Sequence, residues 1–192
     1  MKFNVGCGWR DFGDDWIHID AGDYKHLDSD DIHLYNYEHN SADLIYASHV
    51  IEYFDREEIK VLLSDWKDVL KSNGILRLAV PNFEKIVSLY IKGYNDYKLD
   101  NALGPLYGKM PMGYKTIYHK TTYDFQSLKK VLEDSGFKNI RHWNWEATEH
   151  SEFDDHSQAY YPHMDKENGT LISLNMECVK WFLTIKSLFL CT

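Results

Sequence analysis

The chain has 192 residues, of which 44% are hydrophobic and 27% are charged. This composition is ordinary for a folded domain, and a domain of this length buries roughly 70% of the surface that its unfolded chain exposes. The 21 Lys and Arg against 30 Asp and Glu leave a net charge of -9, which disfavours sequence-independent binding to nucleic acid. We therefore expect one domain over residues 1–192 and no nucleic-acid partner.

Cysteine usage and the apolar segments indicate the compartment. The three cysteines form no C-x-x-C pair, which argues against a disulfide framework, and the glycine loop at Gly6 leaves no room for a secretion signal. The most apolar stretch, residues 179–190, contains two lysines and is shorter than the ~20 residues of a membrane span. We expect a cytoplasmic protein. The apolar stripe within residues 176–189 predicts core or a homodimer face, with attachment to a membrane surface as the alternative.

The first half of the chain predicts a parallel α/β fold. Apolar runs at residues 3–5, 16–19, 43–47 and 74–80 are typical of strands, the later ones buried on both faces. Residues 56–71 repeat apolar side chains at spacings of three and four, which predicts an amphipathic helix that stops at the turn 72–74. The expected fold is a Rossmann-like, mostly parallel, seven-strand-like sheet flanked by helices.

The second half alternates predicted elements with long polar segments. Helices are expected at 83–92 and 124–135, a strand at 137–145, and a long loop at 93–113. Residues 146–169 have no period and predict a surface loop, and residues 173–189 fit a strand or a helix. Long loops in a compact domain are usually functional. We expect segments 93–123 and 146–169 to be the substrate-side loops.

The loop after the first strand predicts a cofactor site. Gly6 and Gly8 let the backbone approach a ligand, and Asp20 ends the second strand, where a carboxylate accepts ribose hydroxyls. The third glycine and the helix that bind a pyrophosphate are missing, and the loop is acidic. An adenosine cofactor with a cationic centre and no phosphate fits better than NAD. S-adenosylmethionine matches that description.

The order of short motifs resembles the class I methyltransferases of the methyltransferase-11 type, short bacterial proteins. The motifs are residues 4–8 (NVGCG), 15–20 (DWIHID), 43–53 (DLIYASHVIEY), 73–82 (NGILRLAVPN), 106–108 (LYG), 119–120 (HK) and 173–177 (SLNME). They cover nearly the whole chain. Each is weak, and their shared order carries the resemblance. Two positions depart from the family pattern: Tyr53 stands where a His is usual and Asn82 where an Asp is usual.

The resemblance implies residues that bind the cofactor. Gly6 and Gly8 would approach the methionine part, with Cys7 packed between them, and Asp20 would take the ribose. The other implied positions flank the adenine or close the site: Asp31 or Asp30, the Ile32 backbone, Ser48 and His49. The departures at Tyr53 and Asn82 keep hydrogen-bonding groups, so cofactor binding is retained while proton transfer at those two positions is in doubt.

Two histidines are the candidate general bases. An imidazole titrates near neutral pH, so His49 or His119 would remove the proton of an oxygen acceptor, although a structural role for each is the alternative. Glu52 is expected to cap the next helix, with contact to the acceptor as the alternative. Tyr107 and Tyr114 are candidates to cover the acceptor.

The histidines and aspartates of residues 142–163 do not have the spacing of a metal site, so no metal is expected. The sequence therefore predicts an S-adenosylmethionine-dependent methyltransferase that acts on a small hydroxyl or amine acceptor, including a sugar. Two alternatives stay open. One is a non-catalytic S-adenosylmethionine-binding module, and the other is an NAD-dependent sugar-modifying enzyme.

Overall fold

The computed structural model describes residues 1–112 and 115–181. The strands in these ranges are β1 (Lys2–Val5), β2 (Trp16–Ile19), β3 (Ala42–Ser48), β4 (Leu70–Pro81), β5 (Met110–Met112), β6 (Lys115–Ile117), β7 (Phe137–His142), β8 (Tyr160–Tyr161), β9 (Thr170–Leu171) and β10 (Ser173–Lys180). The helices are α1 (Glu58–Val69), α2 (Phe83–Lys92), α3 (Leu99–Tyr107) and α4 (Phe125–Asp134). Among the described residues, no helix has the length and apolarity needed to cross a membrane.

The central sheet has the strand order β2-β1-β3-β4-β10-β7. The pairs β2–β1, β1–β3 and β3–β4 are parallel, and β10 runs antiparallel between β4 and β7. This confirms the mostly parallel sheet, with six strands in the described residues where seven were expected. Beyond β2 there is only an isolated bridge between Ile19 and Ser29, because residues 20–41 contain no apolar run that would form a further buried strand.

One face of the sheet is covered by α1 and α4. The predicted stripe of α1, including Leu62, Leu63 and Trp66, is buried, and it joins Leu128 and Leu132 of α4 in the same core. These helices therefore hold the sheet from one side. The apolar residues whose spacing predicted these helices are the residues that the helices bury.

Aromatic side chains from loops cover the opposite face. Phe12, in the loop between β1 and β2, packs on Trp16 and Tyr46, and Trp143 joins the same cluster. The connection from β1 to β2 contains no helix, as the short spacing predicted. Its Phe12 N–H donates to His18 Nε2 at 2.8 Å, so the loop is fixed to β2.

The prediction of a surface loop at residues 146–169 is wrong for the part of the segment around residues 150–158. His150, Asp155, Ser157 and Gln158 are buried there, and the Tyr46 hydroxyl donates to the Asp155 carboxylate. Gln158 donates to two backbone oxygens of the same segment. Apart from β8, which pairs with β9, the segment is irregular because its partners are side chains of the sheet, and it covers this face of the sheet as helices cover the other.

Three other boundaries differ from the prediction. The loop expected at 93–113 contains α3, and the strand expected at 137–145 stops at His142. The strand expected at 74–80 begins at Leu70, directly after α1. Asn73 has φ of 64° within it, where the register between β3 and β4 shifts, so the turn 72–74 makes a bulge rather than the helix stop. The segment predicted at 173–189 is a strand up to Lys180, and residues 182–189 lie outside the described residues.

Candidate active site

The carboxyl ends of β1, β2 and β3 bring the predicted glycine loop, Asp20 and His49 to one edge of the sheet. Gly6 has φ of 70°, and a Cβ there would overlap Cγ2 of Val50. Its N–H donates to the Ile19 carbonyl at 2.7 Å. Gly6 is therefore required both by its backbone angle and by the side chain packed against it.

Asp20 is oriented by two backbone amides. Gly8 N–H donates to Oδ2 at 2.8 Å and Gly22 N–H donates to Oδ1 at 2.7 Å. A carboxylate has about four acceptor positions, so two remain for ligand hydroxyls. Gly8 has φ of 59°, and a Cβ on it would meet only the end of the Arg10 side chain. A carboxylate with two acceptor positions left, beside an open glycine loop, fits the adenosine and methionine parts of the predicted cofactor.

Cys7 is packed within this loop, as predicted. It is 3% exposed, and burial together with the nearby Asp20 carboxylate raises the pKa of its thiol to about 12. A thiol with that pKa is not a nucleophile at neutral pH. Cys7 therefore contributes shape and backbone to the loop rather than reactive sulfur.

Asp31 and Ile32 fix the chain after β2. The Asp31 carboxylate accepts from His33 N–H at 3.0 Å and from Tyr35 N–H at 2.7 Å, which closes a tight turn. The Ile32 carbonyl accepts from Trp66 Nε1 at 2.7 Å. These bonds attach the predicted adenine-flanking segment to α1.

Ser48 and His49 end β3 in an unusual backbone conformation. His49 has φ of 56°, which is uncommon for a residue with a side chain, and its N–H donates to the Ala79 carbonyl at 2.8 Å. The Ser48 hydroxyl oxygen is buried without a hydrogen-bond partner among the described residues. Backbone strain of this kind is concentrated at functional sites.

Glu52 brings the two predicted bases together. Its Oε1 lies 3.3 Å from His49 Nδ1 and 3.9 Å from His119 Nε2, while its backbone oxygen accepts from Lys120 N–H at 2.8 Å. The residue is completely buried, and neither carboxyl oxygen has a hydrogen-bond partner with good geometry among the described residues. Burial raises the pKa of Glu52 to about 8.

The favoured prediction that Glu52 caps the following helix is wrong. Asp55 takes that place, since its Oδ1 accepts from the N–H groups of Glu57 and Glu58 at 2.8 and 2.9 Å. Asp55 is exposed and closer in sequence to α1, whereas Glu52 lies in a short 3-10 turn that points its carboxyl into the protein.

Burial keeps both histidines neutral. It lowers the pKa of His49 well below its usual value, with the neighbouring His156 and His119 adding to the effect, and it also lowers the pKa of His119. His119 Nδ1 lies 3.1 Å from the Pro105 carbonyl, so α3 fixes this ring. Tyr53 packs edge-on against it, with ring centroids 4.7 Å apart.

Sequence reasoning missed the contribution of β10 to this site. Ser173 Oγ lies 3.5 Å from His49 Nε2 and donates to Asn175 Oδ1 at 2.8 Å. Asn175 Nδ2 donates in turn to the Ser157 carbonyl at 2.9 Å. The motif at residues 173–177 was the available signal, but it carries no information about which side chains face His49.

Other singled-out residues have separate places. Asn82 caps α2, with its Oδ1 accepting from Lys85 N–H at 3.2 Å. Tyr107 is 61% exposed, and Tyr114 lies outside the described residues. In the part of the chain that the structure describes, no group of three or more His, Cys, Asp or Glu side chains has the arrangement of metal ligands.

Comparison with known proteins agrees with this fold. Residues 17–78, about a third of the chain, match the model of a methyltransferase domain, and this range contains β3, α1 and most of β2 and β4. No curated protein sequence matches the chain.

Three solved structures show how far the similarity of fold extends. A SAM-dependent methyltransferase from Archaeoglobus fulgidus is 17% identical with a TM-score of 0.56, over 93% of this chain and 85% of that one. A SAM-dependent methyltransferase from Methanosarcina mazei is 14% identical with a TM-score of 0.55, over 94% and 92%. A third from Mesorhizobium loti is 13% identical with a TM-score of 0.51, over 93% and 89%.

The fold and the matched segment define a class I methyltransferase, an enzyme that uses S-adenosylmethionine as its cofactor. Within that class, the match of residues 17–78 is to a methyltransferase-domain model of the methyltransferase-11 type. The chain is thus a transferase rather than the non-catalytic module or the NAD-dependent enzyme that the sequence left open.

Proposed function

We propose that this enzyme transfers a methyl group to a hydroxyl or amine of a small acceptor, such as a sugar. The observation that carries the proposal is the meeting of His49 and His119 at the buried carboxyl of Glu52, at the end of β3. Both rings are neutral at neutral pH, and a neutral imidazole is able to accept a proton. Bound S-adenosylmethionine supplies a methyl group on a positively charged sulfur.

The proposed cofactor residues are those that the sequence predicted. Gly6, Cys7 and Gly8 leave the backbone open beside the methionine part, and Asp20 accepts the ribose hydroxyls with the two positions that its amide bonds leave free. Asp31 and Ile32 flank the adenine, and Ser48 and His49 close the site. The geometry of the loop and of Asp20 supports this assignment.

The acceptor is proposed to bind between segments 93–123 and 146–169, within one domain formed by the whole chain. The first segment presents exposed aromatic rings at Tyr94, Tyr107 and Tyr118, which suit the apolar faces of sugar rings. Holding acceptor and donor in line supplies up to ~7 to 11 kcal/mol of the barrier to such a transfer. Positioning is therefore the main task of these walls.

The proposed compartment is the cytoplasm, in keeping with the free, buried thiols of Cys7 and Cys178. We also propose a homodimer through the apolar segment 176–189, of which residues 182–189 lie outside the described residues.

The cofactor site is tested by Asp20→Ala with Asp23→Ala as the matched control. Asp23 is an exposed carboxylate in the same acidic stretch. We expect Asp20→Ala to weaken S-adenosylhomocysteine binding by about 1 to 3 kcal/mol, because buried hydroxyl donors lose a charged acceptor, and Asp23→Ala to leave it unchanged. Isothermal titration measures both. Asp20→Asn, which preserves the shape, serves if the alanine variant unfolds. Equal affinity in a folded Asp20 variant would remove this residue from the site.

A further inference from the structure

We propose that Glu52 is a positioning residue that decides which nitrogen of His49 accepts the proton of the acceptor. This inference rests on the proposed function, because it specifies how the same site removes a proton. It is carried by the contacts that reach His49 from two sides: Glu52 Oε1 lies 3.3 Å from Nδ1, and Ser173 Oγ lies 3.5 Å from Nε2.

The chain on the Ser173 side has a defined direction. Asn175 Nδ2 donates to the Ser157 carbonyl, so Asn175 Oδ1 is the acceptor that faces Ser173. The Ser173 hydroxyl donates its one proton to that oxygen. Its lone pairs are therefore what His49 Nε2 meets at 3.5 Å, which favours a proton on Nε2 in the resting site.

The opposite side depends on the charge of Glu52. When Glu52 is neutral, its carboxyl proton faces the lone pair of His49 Nδ1, and Nε2 carries the ring proton. His49 then has no lone pair for an acceptor. When Glu52 is ionised, the carboxylate accepts Nδ1–H, and the lone pair of His49 moves to Nε2. Only the second arrangement makes His49 a base.

His119 has a different part in this scheme. Its Nδ1 donates to the Pro105 carbonyl, so its Nε2 lone pair faces Glu52 Oε1 at 3.9 Å. The ring is 6% exposed. His119 is therefore a second site for the proton of Glu52, and the base that meets the acceptor is His49, whose side chain is 16% exposed.

The proton and electron balance of the transfer is simple. The acceptor oxygen takes the place of Ser173 Oγ beside His49 Nε2, the O–H bond of the acceptor breaks, and its proton joins Nε2. An oxygen lone pair forms the O–CH3 bond, and the electron pair of the broken S–CH3 bond stays on sulfur. His49 is then an imidazolium whose Nδ1–H donates to the Glu52 carboxylate, and its extra proton leaves to water. One proton is released per methyl group transferred.

The groups around the pair set the pH at which the switch occurs. His49 and Tyr53, from the connection after β3, lie next to Glu52, as do His119 and Tyr123 from the connection before α4. Arg56 acts on Tyr123. His49 is also affected by the charges of Arg10 and His156. Burial is the dominant effect and holds the pKa of Glu52 near 8. The site should therefore change state close to neutral pH.

The test begins with the full chain free of cofactor. In 15N spectra of histidine side chains, we expect His49 to carry its proton on Nε2 at pH 6.5 and on Nδ1 at pH 9.5, following a glutamate carboxyl carbon that titrates near pH 8. In Glu52→Gln the amide donates to Nδ1 at every pH, so Nε2–H should persist. A His49 tautomer that stays the same between these pH values in the folded wild-type chain would overturn the proposal.

Activity supplies the second readout, with release of S-adenosylhomocysteine measured on D-glucose and D-glucosamine as probes. Wild-type kcat should rise about tenfold per pH unit below the transition and level off above it. In Glu52→Gln, kcat should no longer depend on pH in this way and should fall about 100-fold, while the affinity for the cofactor stays within twofold of the wild type. In Glu52→Asp, the pH dependence of kcat should return. A pH profile that Glu52→Gln leaves unchanged contradicts the role of Glu52. If the His49 tautomer changes with pH but neither probe is methylated, the result counts against the proposed acceptors and supports the role of Glu52 toward His49.

Discussion

In the loop between β1 and β2, glycine is needed for two different reasons: a positive φ angle and a lack of space for a side chain. Gly6 and Gly13 both have positive φ, 70° and 88°, but their surroundings differ. A Cβ on Gly6 meets the Val50 side chain, whereas nothing lies within 4 Å of one on Gly13. Pattern alone marked Gly6 and Gly8 as ligand-approaching residues. The structure adds that Gly6 also makes room for Val50, so its substitution disturbs the packing beneath the site.

This difference gives a matched pair of variants. Gly13→Ala should lower the free energy of unfolding by about 1 to 2 kcal/mol, the cost of a left-handed backbone for a residue with Cβ. Gly6→Ala should lower it further, because overlap with Val50 is added to the same backbone cost. Urea unfolding monitored by fluorescence measures both. Equal losses in the two variants would show that Val50 moves aside at no cost.

At the scale of elements, Asn82 shows how a departure from a family pattern finds a structural role. The sequence left its proton-transfer role in doubt, and the structure places it at the N-cap of α2, with its N–H donating to the Ile172 carbonyl at 2.8 Å. Asp and Asn are both good caps, so the change from the usual Asp preserves the helix start. The sequence did not predict α3, because Gly104 and Pro105 lie inside it. Packing of Ala102 beside Tyr97 overrides the poor helix propensity of these two residues.

The cap of α2 is tested by replacing its side chain. Asn82→Ala should lower the free energy of unfolding by about 1 kcal/mol, because Lys85 N–H loses its acceptor at a helix end that is nearly buried. Asn82→Asp should keep the stability, since a carboxylate accepts the same bond and favours the helix N-terminus. Denaturant midpoints compare the three proteins. A loss in the Asp variant as large as in the Ala variant would mean that Asn82 acts through its amide protons.

At the scale of the whole molecule, residues 146–169 complete the core on the face that lacks helices. Asp155 binds the Tyr46 hydroxyl on β3, and Ser157 binds Asn175 on β10. His150 packs between Tyr46 and Phe12, with ring centroids at 4.3 and 5.3 Å. The segment whose His156 ring lies 5.1 Å from the His49 ring is therefore attached to the same sheet that carries His49.

Removing the Tyr46 hydroxyl tests this attachment. Tyr46→Phe keeps the ring in the aromatic cluster but takes a donor from the buried Asp155, so the free energy of unfolding should fall by about 1 to 3 kcal/mol. Amide hydrogen exchange should become faster in residues 150–158. Tyr160→Phe is the control, because it removes a half-buried hydroxyl that pairs only with Trp145 Nε1 at 3.3 Å in the described residues. Unchanged exchange in Tyr46→Phe would mean that ring packing alone holds the segment.

The sequence by itself determined the strands and the helices with clear periods, the glycine loop and the place of Asp20. These features depend on residues close together in the chain: apolar spacing, backbone angles that need glycine, and the end of a strand. Tertiary structure alone decided that Glu52 lies between His49 and His119, with no hydrogen-bond partner for its carboxyl among the described residues. It also decided that His150, Asp155, Ser157 and Gln158 of segment 146–169 are buried. Tyr46 and Asp155 are 109 positions apart, and Glu52 meets His119 only after α1, β4, α2 and α3 have been placed between them. The charge state of a buried carboxyl depends on such distant neighbours, which no local pattern contains.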